Sequence, residues 1–348
     1  MDSMKPSYLF AKTLLLISTS ILALSCIQAS AECPDCRIRQ GEKNPYAAKF
    51  YQLPESFNHK GGIYENLNVR FGICYKHADG DGLKLDICYP NTPAPDGGYP
   101  IIVYFHGGGW TGGERFSGYG FFNDEIRYYN SKGIAVATVT YRFSRWANPR
   151  RTMEACVIDA KDALRFLAKN AKNLDINANK MGVYGHSAGG HLTLMLALTP
   201  DDAFEGDPAL KGYAPKIVCA VPQSAPTSLI DEEVDLSKSS HVYDDDRMYM
   251  PLNGKISETY ELRKRMSPVV YLKKNTPKLL LLQGARDSIV PAQAATFFKK
   301  KADEVGADVE VVISENAEHS FEDARKPDNT ELANIRRAFF VKNLAPEK

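Results

Sequence analysis

Short apolar runs alternate with longer segments of helical periodicity from Gly98 to the C-terminus. Such alternation is typical of parallel strands joined by crossover helices, and strands covered on both faces are apolar throughout. The candidate strands that share this character are Ile101–Phe105, Ile134–Thr140, Met181–Tyr184, Ile217–Val221, Leu279–Leu282 and Val309–Ile313. The sequence therefore predicts an α/β fold with a mostly parallel central sheet flanked by helices.

The N-terminus has the order of a secretory signal, in which basic residues precede an apolar segment and small residues precede the cleavage site. Lys5 and Lys12 lie before the apolar run 14–24, and the small residues 29–31 follow it. The run is shorter than the ~20 apolar residues that a membrane span needs. We predict a signal peptide over residues 1–31, export to the periplasm or medium, and no transmembrane span in the mature chain. A lipid anchor at Cys26 is the alternative.

Three further segments are predicted after the signal peptide. Residues 32–60 are charged and lack a clear period, which indicates a leader packed on the surface. Residues 61–348 form one α/β domain, and an antiparallel hairpin over residues 71–90 begins its sheet. Residues 231–265 interrupt the alternation with a polar sequence, which we interpret as a small cap insertion before the seventh strand.

Two cysteines flank the turn of the predicted hairpin. Cys74 and Cys88 lie at similar distances from the DGDG sequence at residues 79–82. Because a hairpin would place their sulfur atoms nearly opposite each other, and because export exposes them to an oxidising compartment, we predict a disulfide between them.

Overall charge gives no indication of a polyanionic partner. The 43 Lys and Arg residues are balanced by 42 Asp and Glu residues. This balance favours a small neutral ligand over nucleic acid or an anionic membrane surface. The sequence contains no metal-ligand cluster and no cofactor fingerprint, so neither a metal nor a cofactor is expected.

The strongest local motif is GHSAG at residues 185–189, which lies between an apolar strand and an apolar helix. A serine on so sharp a strand-to-helix turn sits in strained backbone with its hydroxyl exposed, and the helix start beside it favours negative charge. Ser187 is therefore the predicted nucleophile of an acyl transfer.

A second glycine motif, HGGGW at residues 106–110, directly follows the strand Ile101–Phe105. Acyl transfer passes through an oxyanion, which preorganised backbone N–H groups stabilise by roughly 3 kcal/mol per donor. We predict that the amides of Gly108, Gly109 and Ala188 form this oxyanion hole.

The remaining partners of Ser187 are expected in the chain order Ser, Asp, His. Asp287 lies on the loop that leaves the strand Leu279–Leu282, and His319 lies just beyond the last strand. Both positions are at carboxyl ends of parallel strands, where open α/β sheets place their ligands. The predicted mechanism is ester hydrolysis through an acyl-enzyme, with His319 as base and Asp287 as its orienter. A catalytically dead hydrolase used as a binding protein is the alternative from another class.

With these residues in place, the chain resembles the hormone-sensitive-lipase-like branch of the α/β hydrolases, and more closely the bacterial bifunctional feruloyl and acetylxylan esterases. The resemblance runs from about residue 71 to residue 323. It rests on the HGGGW and GHSAGG motifs, on Tyr141-Arg142, Asp159 and Ser267-Pro268, and on the Asp287 and His319 loops. It implies an α/β-hydrolase fold and a carbohydrate esterase that acts on acetyl or feruloyl esters of plant polysaccharide. A formamidase and a general short-chain carboxylesterase are the alternatives within the superfamily.

Aromatic residues follow the oxyanion loop. Trp110 and Tyr119 could stack on a sugar or on a phenolic acyl group, and we propose them as substrate contacts. The competing interpretation is that such residues simply pack in the core.

Overall fold

The computed structural model describes residues 66–116, 124–145, 148–230 and 251–345. Several predictions fall outside these ranges. They concern the signal peptide 1–31, the leader 32–60, Cys26, Tyr119 and the first part of the cap, residues 231–250. The prediction of the cap insertion stays a prediction.

Within the described ranges, eight strands form one sheet in the order β1-β2-β4-β3-β5-β6-β7-β8. The strands are β1 (Asn68–Ala78), β2 (Asp81–Tyr89), β3 (Tyr99–Phe105), β4 (Ala135–Val139), β5 (Ile176–His186), β6 (Ile217–Gln223), β7 (Lys278–Gly284) and β8 (Val309–Ser314). β1 pairs with β2 and β2 with β4 in antiparallel fashion, and all other neighbours are parallel. The predicted sheet, with its N-terminal hairpin, is confirmed.

Helices cover both faces of this sheet. They are α1 (Asp124–Ser131), α2 (Met153–Lys169), α3 (Ala188–Leu198), α4 (Tyr260–Arg265), α5 (Ala292–Val305) and α6 (Asn329–Leu344). On β3, Ile101 and Val103 pack in the cluster that contains α2, α3 and α5, whereas Ile102 and Tyr104 pack in the cluster that contains α1 and α6. Because successive side chains alternate between two covered faces, the strand has to be apolar throughout. No helix in the described ranges is long and apolar enough to cross a membrane.

The start of α6 is fixed by its own sequence. The Asp328 carboxylate accepts hydrogen bonds from the amides of Thr330 (2.8 Å) and Glu331 (2.9 Å). The Glu331 carboxylate in turn accepts one from the amide of Asp328 (2.8 Å). This reciprocal capping box ends the loop that follows β8 at a defined residue and directs the last helix back along the sheet.

The predicted disulfide between Cys74 and Cys88 is wrong. The hairpin turns over only two residues, Asp79-Gly80, and both have positive φ (52° and 84°). This short turn and two register shifts in β1 place Cys74 opposite Lys84 and Cys88 opposite Val69. Both cysteines are buried, and their sulfur atoms are not joined to each other. Turn length sets hairpin register, so counting outward from a four-residue turn gave the wrong partners.

A buried ionic cluster joins the hairpin to α2. Lys76 Nζ lies 2.8 Å from Asp159 Oδ1 and 2.7 Å from Asp162 Oδ2. Arg142 donates to both oxygens of Asp159, from Nε at 2.7 Å and from Nη2 at 2.9 Å. Asp159 is fully buried. Since a desolvated carboxylate is tolerated only when its charge is paired and its oxygens are bonded, two cations at Asp159 explain how it lies inside the fold.

We expect Asp159→Ala to lower the free energy of unfolding by about 3–5 kcal/mol, because it removes the buried carboxylate that the buried Lys76 and the half-buried Arg142 share. Urea denaturation would measure the loss. Asp303→Ala is the matched control, since it removes the carboxylate of an exposed i,i+4 pair with Lys299 on α5 and should change stability little. An equal decrease in the free energy of unfolding in the two variants would contradict a structural role for the buried cluster.

Candidate active site

Ser187 occupies the turn between β5 and α3. Its φ and ψ are 56° and −123°, a conformation that a non-glycine residue rarely adopts. Its amide donates a hydrogen bond to the carbonyl of Gln223 at the end of β6 (2.8 Å). The strained turn therefore places Ser187 at the carboxyl edge of the sheet, where the motif predicted it.

Close backbone packing explains the glycines of the elbow. A Cβ atom on Gly189 would lie 2.0 Å from the carbonyl oxygen of Phe105, the last residue of β3. A Cβ atom on Gly185 would lie 2.3 Å from the carbonyl oxygen of Gly189. Both contacts are with main chain, which cannot move aside as a side chain can. Glycine at these positions lets α3 start directly against the end of β3.

The HGGGW loop lies beside this elbow. A Cβ atom on Gly107 would be 3.3 Å from the Cβ atom of Ser187. Gly108 has φ of 118°, and its carbonyl accepts the amides of Thr111 (3.0 Å) and Gly112 (3.1 Å) in a tight turn. Ala188 is the first residue of α3, so its amide has no acceptor within the helix. The predicted donors Gly108, Gly109 and Ala188 thus lie on two adjacent segments, and their role stays a prediction.

The structure brings the predicted base and its orienter together. His319 Nδ1 lies 2.8 Å from Asp287 Oδ2 and 3.0 Å from Oδ1. The Asp287 carboxylate also accepts the amides of Ile289 (2.9 Å) and Val290 (2.8 Å) and the side-chain amide of Gln283 (3.0 Å). These donors fix the plane of the carboxylate, which in turn fixes the imidazole.

Two hydrogen bonds hold the main chain of His319 at the elbow. Its carbonyl oxygen accepts from His186 Nε2 (2.9 Å) and from Ser224 Oγ (3.0 Å). The rings of His186 and His319 lie with centroids 4.8 Å apart. Within the described residues, the Ser187 hydroxyl forms no hydrogen bond with the His319 imidazole, and such catalytic bonds commonly tighten only when substrate is bound.

This arrangement leaves one nitrogen of His319 as a proton acceptor. Because Nδ1 faces the Asp287 carboxylate and donates to it, the lone pair of the neutral ring is on Nε2. His319 can therefore take a proton from a neighbouring hydroxyl and return it. The described ranges contain no group of three or more His, Cys, Asp or Glu side chains that could share a metal ion.

Gln283 and Ser224 contribute to the site but were not predicted. Gln283 is the one buried polar residue of β7, whose other polar residue, Lys278, is exposed at the start of the strand, and a buried amide at the end of such a strand needs partners. That pattern could have identified it before the structure was known. Ser224 follows β6 in a positive-φ conformation (47°), for which the sequence gives no comparable signal.

Two motif residues support loops. The His106 ring stacks on Tyr141 with centroids 4.4 Å apart, and the Tyr141 hydroxyl donates to the His106 carbonyl (2.7 Å). The Trp110 side chain is 3% exposed, and its Nε1 donates to His191 Nδ1 (3.3 Å). Burial of Trp110 favours the packing interpretation over a substrate contact. Tyr119, the other proposed contact, lies outside the described residues.

Three histidines around the site are buried as neutral rings. Burial lowers the pKa of His106, His186 and His191 to about 4 in each case. His191 shows why the neutral form is needed, because its Nδ1 accepts from Trp110 while its Nε2 donates to the carbonyl of Met266 (2.7 Å). A second ring proton would face the indole N–H and break this bond.

These histidines predict acid destabilisation. Below pH 6.5 the unfolded chain binds a proton at each of them that the folded chain does not bind, so stability falls as the pH drops from 6.5 to about 4. Each contributes a slope of up to about 1.4 kcal/mol per pH unit. The measurement is urea unfolding across this pH window. We expect His191→Gln to reduce the slope of the unfolding free energy against pH by about the contribution of one histidine. An unchanged slope in the variant would contradict the assignment.

The protein has the α/β-hydrolase fold. Four features define it: the order of the strands in the sheet, the serine elbow after β5, the glycine loop after β3, and the Asp–His pair after β7 and β8. The chain belongs to the BD-FAE family, whose sequence profile matches residues 85–302 and thus more than half of the chain.

Named relatives and solved structures agree with this fold. Esterase LipQ of Mycobacterium tuberculosis is 27% identical over 246 residues, which are 68% of this chain and 54% of LipQ. A kynurenine formamidase of Salmo salar is 28% identical over 163 residues, 46% of this chain and 48% of the relative. The structure of a thermophilic esterase, Est2 of Thermogutta terrifontis with butyrate bound, has a TM-score of 0.66 and 23% identity, and the match covers 84% of this chain and 100% of Est2. The chain spans about a third to just over half the length of its first curated relatives.

Proposed function

We propose that the protein is a serine carboxylic ester hydrolase that acts through an acyl-enzyme. The observation that carries the proposal is the hydrogen bond of His319 Nδ1 to Asp287, with the main chain of His319 held at the residue next to Ser187. In this proposal Ser187 is the nucleophile, His319 the base and Asp287 its orienter. The three residues follow β5, β8 and β7 at one edge of the sheet, which suits the arrangement that activated-serine catalysis requires.

In the proposed reaction, Ser187 Oγ attacks the ester carbonyl while His319 Nε2 takes its proton. The amides of Gly108, Gly109 and Ala188 stabilise the oxyanion, and loss of one such donor typically costs 10²–10³ in kcat. Imidazolium then protonates the leaving alcohol, and water activated by the same nitrogen releases the acid. Asp287 holds the ring in one tautomer and stabilises the imidazolium.

Relatives support ester chemistry in particular. Several named relatives are esterases or a probable carboxylic ester hydrolase of Mycobacterium tuberculosis, and the solved neighbours include an esterase with propionate or butyrate bound. The chain has all the residues that the proposed reaction needs, namely Ser187, Asp287, His319 and the oxyanion glycines. Their presence argues against a catalytically dead binding protein.

For the substrate, we propose acetyl or feruloyl esters of plant polysaccharide, hydrolysed outside the cell. The N-terminal signal pattern and the polar sequence of residues 231–265 support an extracellular, water-soluble substrate. A formamidase is the second candidate, because kynurenine formamidases of Salmo salar and Danio rerio are among the relatives. One residue argues against a formamidase. The third position of the HGGGW loop, where formamidases often carry tyrosine, is Gly108 in this chain.

Ser187→Ala should abolish hydrolysis of p-nitrophenyl acetate, with kcat lower by at least ~10³-fold, because no other group supplies the alkoxide. An organophosphorus reagent should add one mass increment to the wild-type protein, mapped to Ser187. Ser131→Ala, on the exposed end of α1, is the matched control and should keep full activity. Unchanged turnover in Ser187→Ala would refute the serine mechanism.

A substrate panel tests the finer proposal. It compares acetylated xylan, methyl ferulate, N-formylkynurenine and short p-nitrophenyl esters at equal enzyme concentration. We expect kcat/KM for acetylated xylan or methyl ferulate to exceed that for N-formylkynurenine by at least about tenfold, a difference of 1.4 kcal/mol in transition-state binding. Preference for the formamide would replace the esterase proposal by formamidase, and preference for simple short esters alone would make the protein a general carboxylesterase.

A further inference from the structure

His186 lies between three of the four segments that form the candidate site, namely the serine elbow, the His319 loop and the glycine loop. It directly precedes Ser187 in the elbow, and its Nε2 donates to the carbonyl of His319 at 2.9 Å. Its other ring nitrogen faces the glycine loop, since a Cβ atom on Gly107 would lie 3.2 Å from His186 Nδ1. His186 is 2% exposed, so its imidazole is buried between the three segments.

Ser224 supplies the second donor to the same carbonyl oxygen. Its amide is bonded to the carbonyl of Leu282 in β7 (2.9 Å), and its Oγ donates to the carbonyl of His319 (3.0 Å). A carbonyl oxygen has two lone pairs, and both are used here. Because one donor comes from the end of β5 and the other from the end of β6, the main chain of His319 is tied to two strands of the central sheet.

The imidazole of His319 is thus held at both ends. Asp287 holds the ring at Nδ1, and the two donors hold the backbone from which the ring projects. Without the two backbone bonds, His319 would no longer be tied to β5 and β6, and it would be placed by the bond to Asp287 and by the loop that follows the edge strand β8. A shift of about 1 Å in a reacting group can cost on the order of 10²-fold in rate.

We propose that His186 and Ser224 are positioning residues that set the distance between the His319 imidazole and the Ser187 hydroxyl. The inference rests on the proposed function, because it assigns these residues to the proton transfer of the serine reaction. Neither side chain touches the substrate in this proposal, and both act through the carbonyl of His319.

The test compares His186→Ala and Ser224→Ala with His186→Gln, whose side-chain amide N–H reaches about as far as imidazole Nε2. We expect kcat for p-nitrophenyl acetate to fall about 30- to 100-fold in His186→Ala and about tenfold in Ser224→Ala, with KM within about twofold. His186→Gln should recover most of the loss. The double alanine variant should be little worse than His186→Ala alone, because both donors act on one oxygen.

Two readouts separate positioning from stability. Circular dichroism should show each variant folded at the assay temperature, and imidazole NMR of His319 should show a changed ring environment in His186→Ala and a wild-type one in His186→Gln. The rate at which an organophosphorus reagent labels Ser187 should fall in parallel with kcat. If His186→Ala does not fold, His186→Gln and Ser224→Ala carry the test.

The outcomes distinguish this inference from the function on which it rests. A wild-type protein that neither hydrolyses esters nor is labelled at Ser187 overturns the proposed function. A wild-type protein that is active, with kcat of folded His186→Ala and Ser224→Ala within twofold of it, overturns the positioning role alone. Equal losses in His186→Ala and His186→Gln also overturn it, because the hydrogen bond would then not be the cause.

Discussion

The site depends on one constraint, which is that the parallel strands of a doubly covered sheet all end at the same edge. β3, β5, β7 and β8 each deliver one element there, although these elements are far apart in the chain. The glycine loop, the serine elbow, Asp287 and His319 follow those strands in turn. Burial of both sheet faces makes the edge rigid, so small side chains and backbone amides can be placed to within a fraction of an ångström.

Main chain contributes as much to this placement as side chains do. Gly189 allows α3 to start against the carbonyl of Phe105, and the elbow amide of Ser187 is bonded to β6. The Asp287 carboxylate is oriented by two backbone amides of its own loop. Strain at Ser187 persists because the neighbouring strands determine the backbone on both sides of the turn.

Sequence patterns predicted the parts that depend on local chemistry. The apolar runs located the six parallel or central strands, and the motifs with their chain order selected Ser187, Asp287 and His319. The sequence patterns do not predict Gln283 and Ser224, because the role of these residues depends on which loops lie together in the tertiary fold. The disulfide prediction failed for a related reason, since the register of the hairpin depends on a turn length and on bulges that the sequence did not reveal.

The separate positions of Cys74 and Cys88 in the hairpin bear on how the chain can be produced. Cys74 lies opposite Lys84 and Cys88 opposite Val69, so the pairing of β1 with β2 does not depend on a bond between the two sulfur atoms. The hairpin should therefore acquire its native register equally well in a reducing cytosol and in an oxidising compartment.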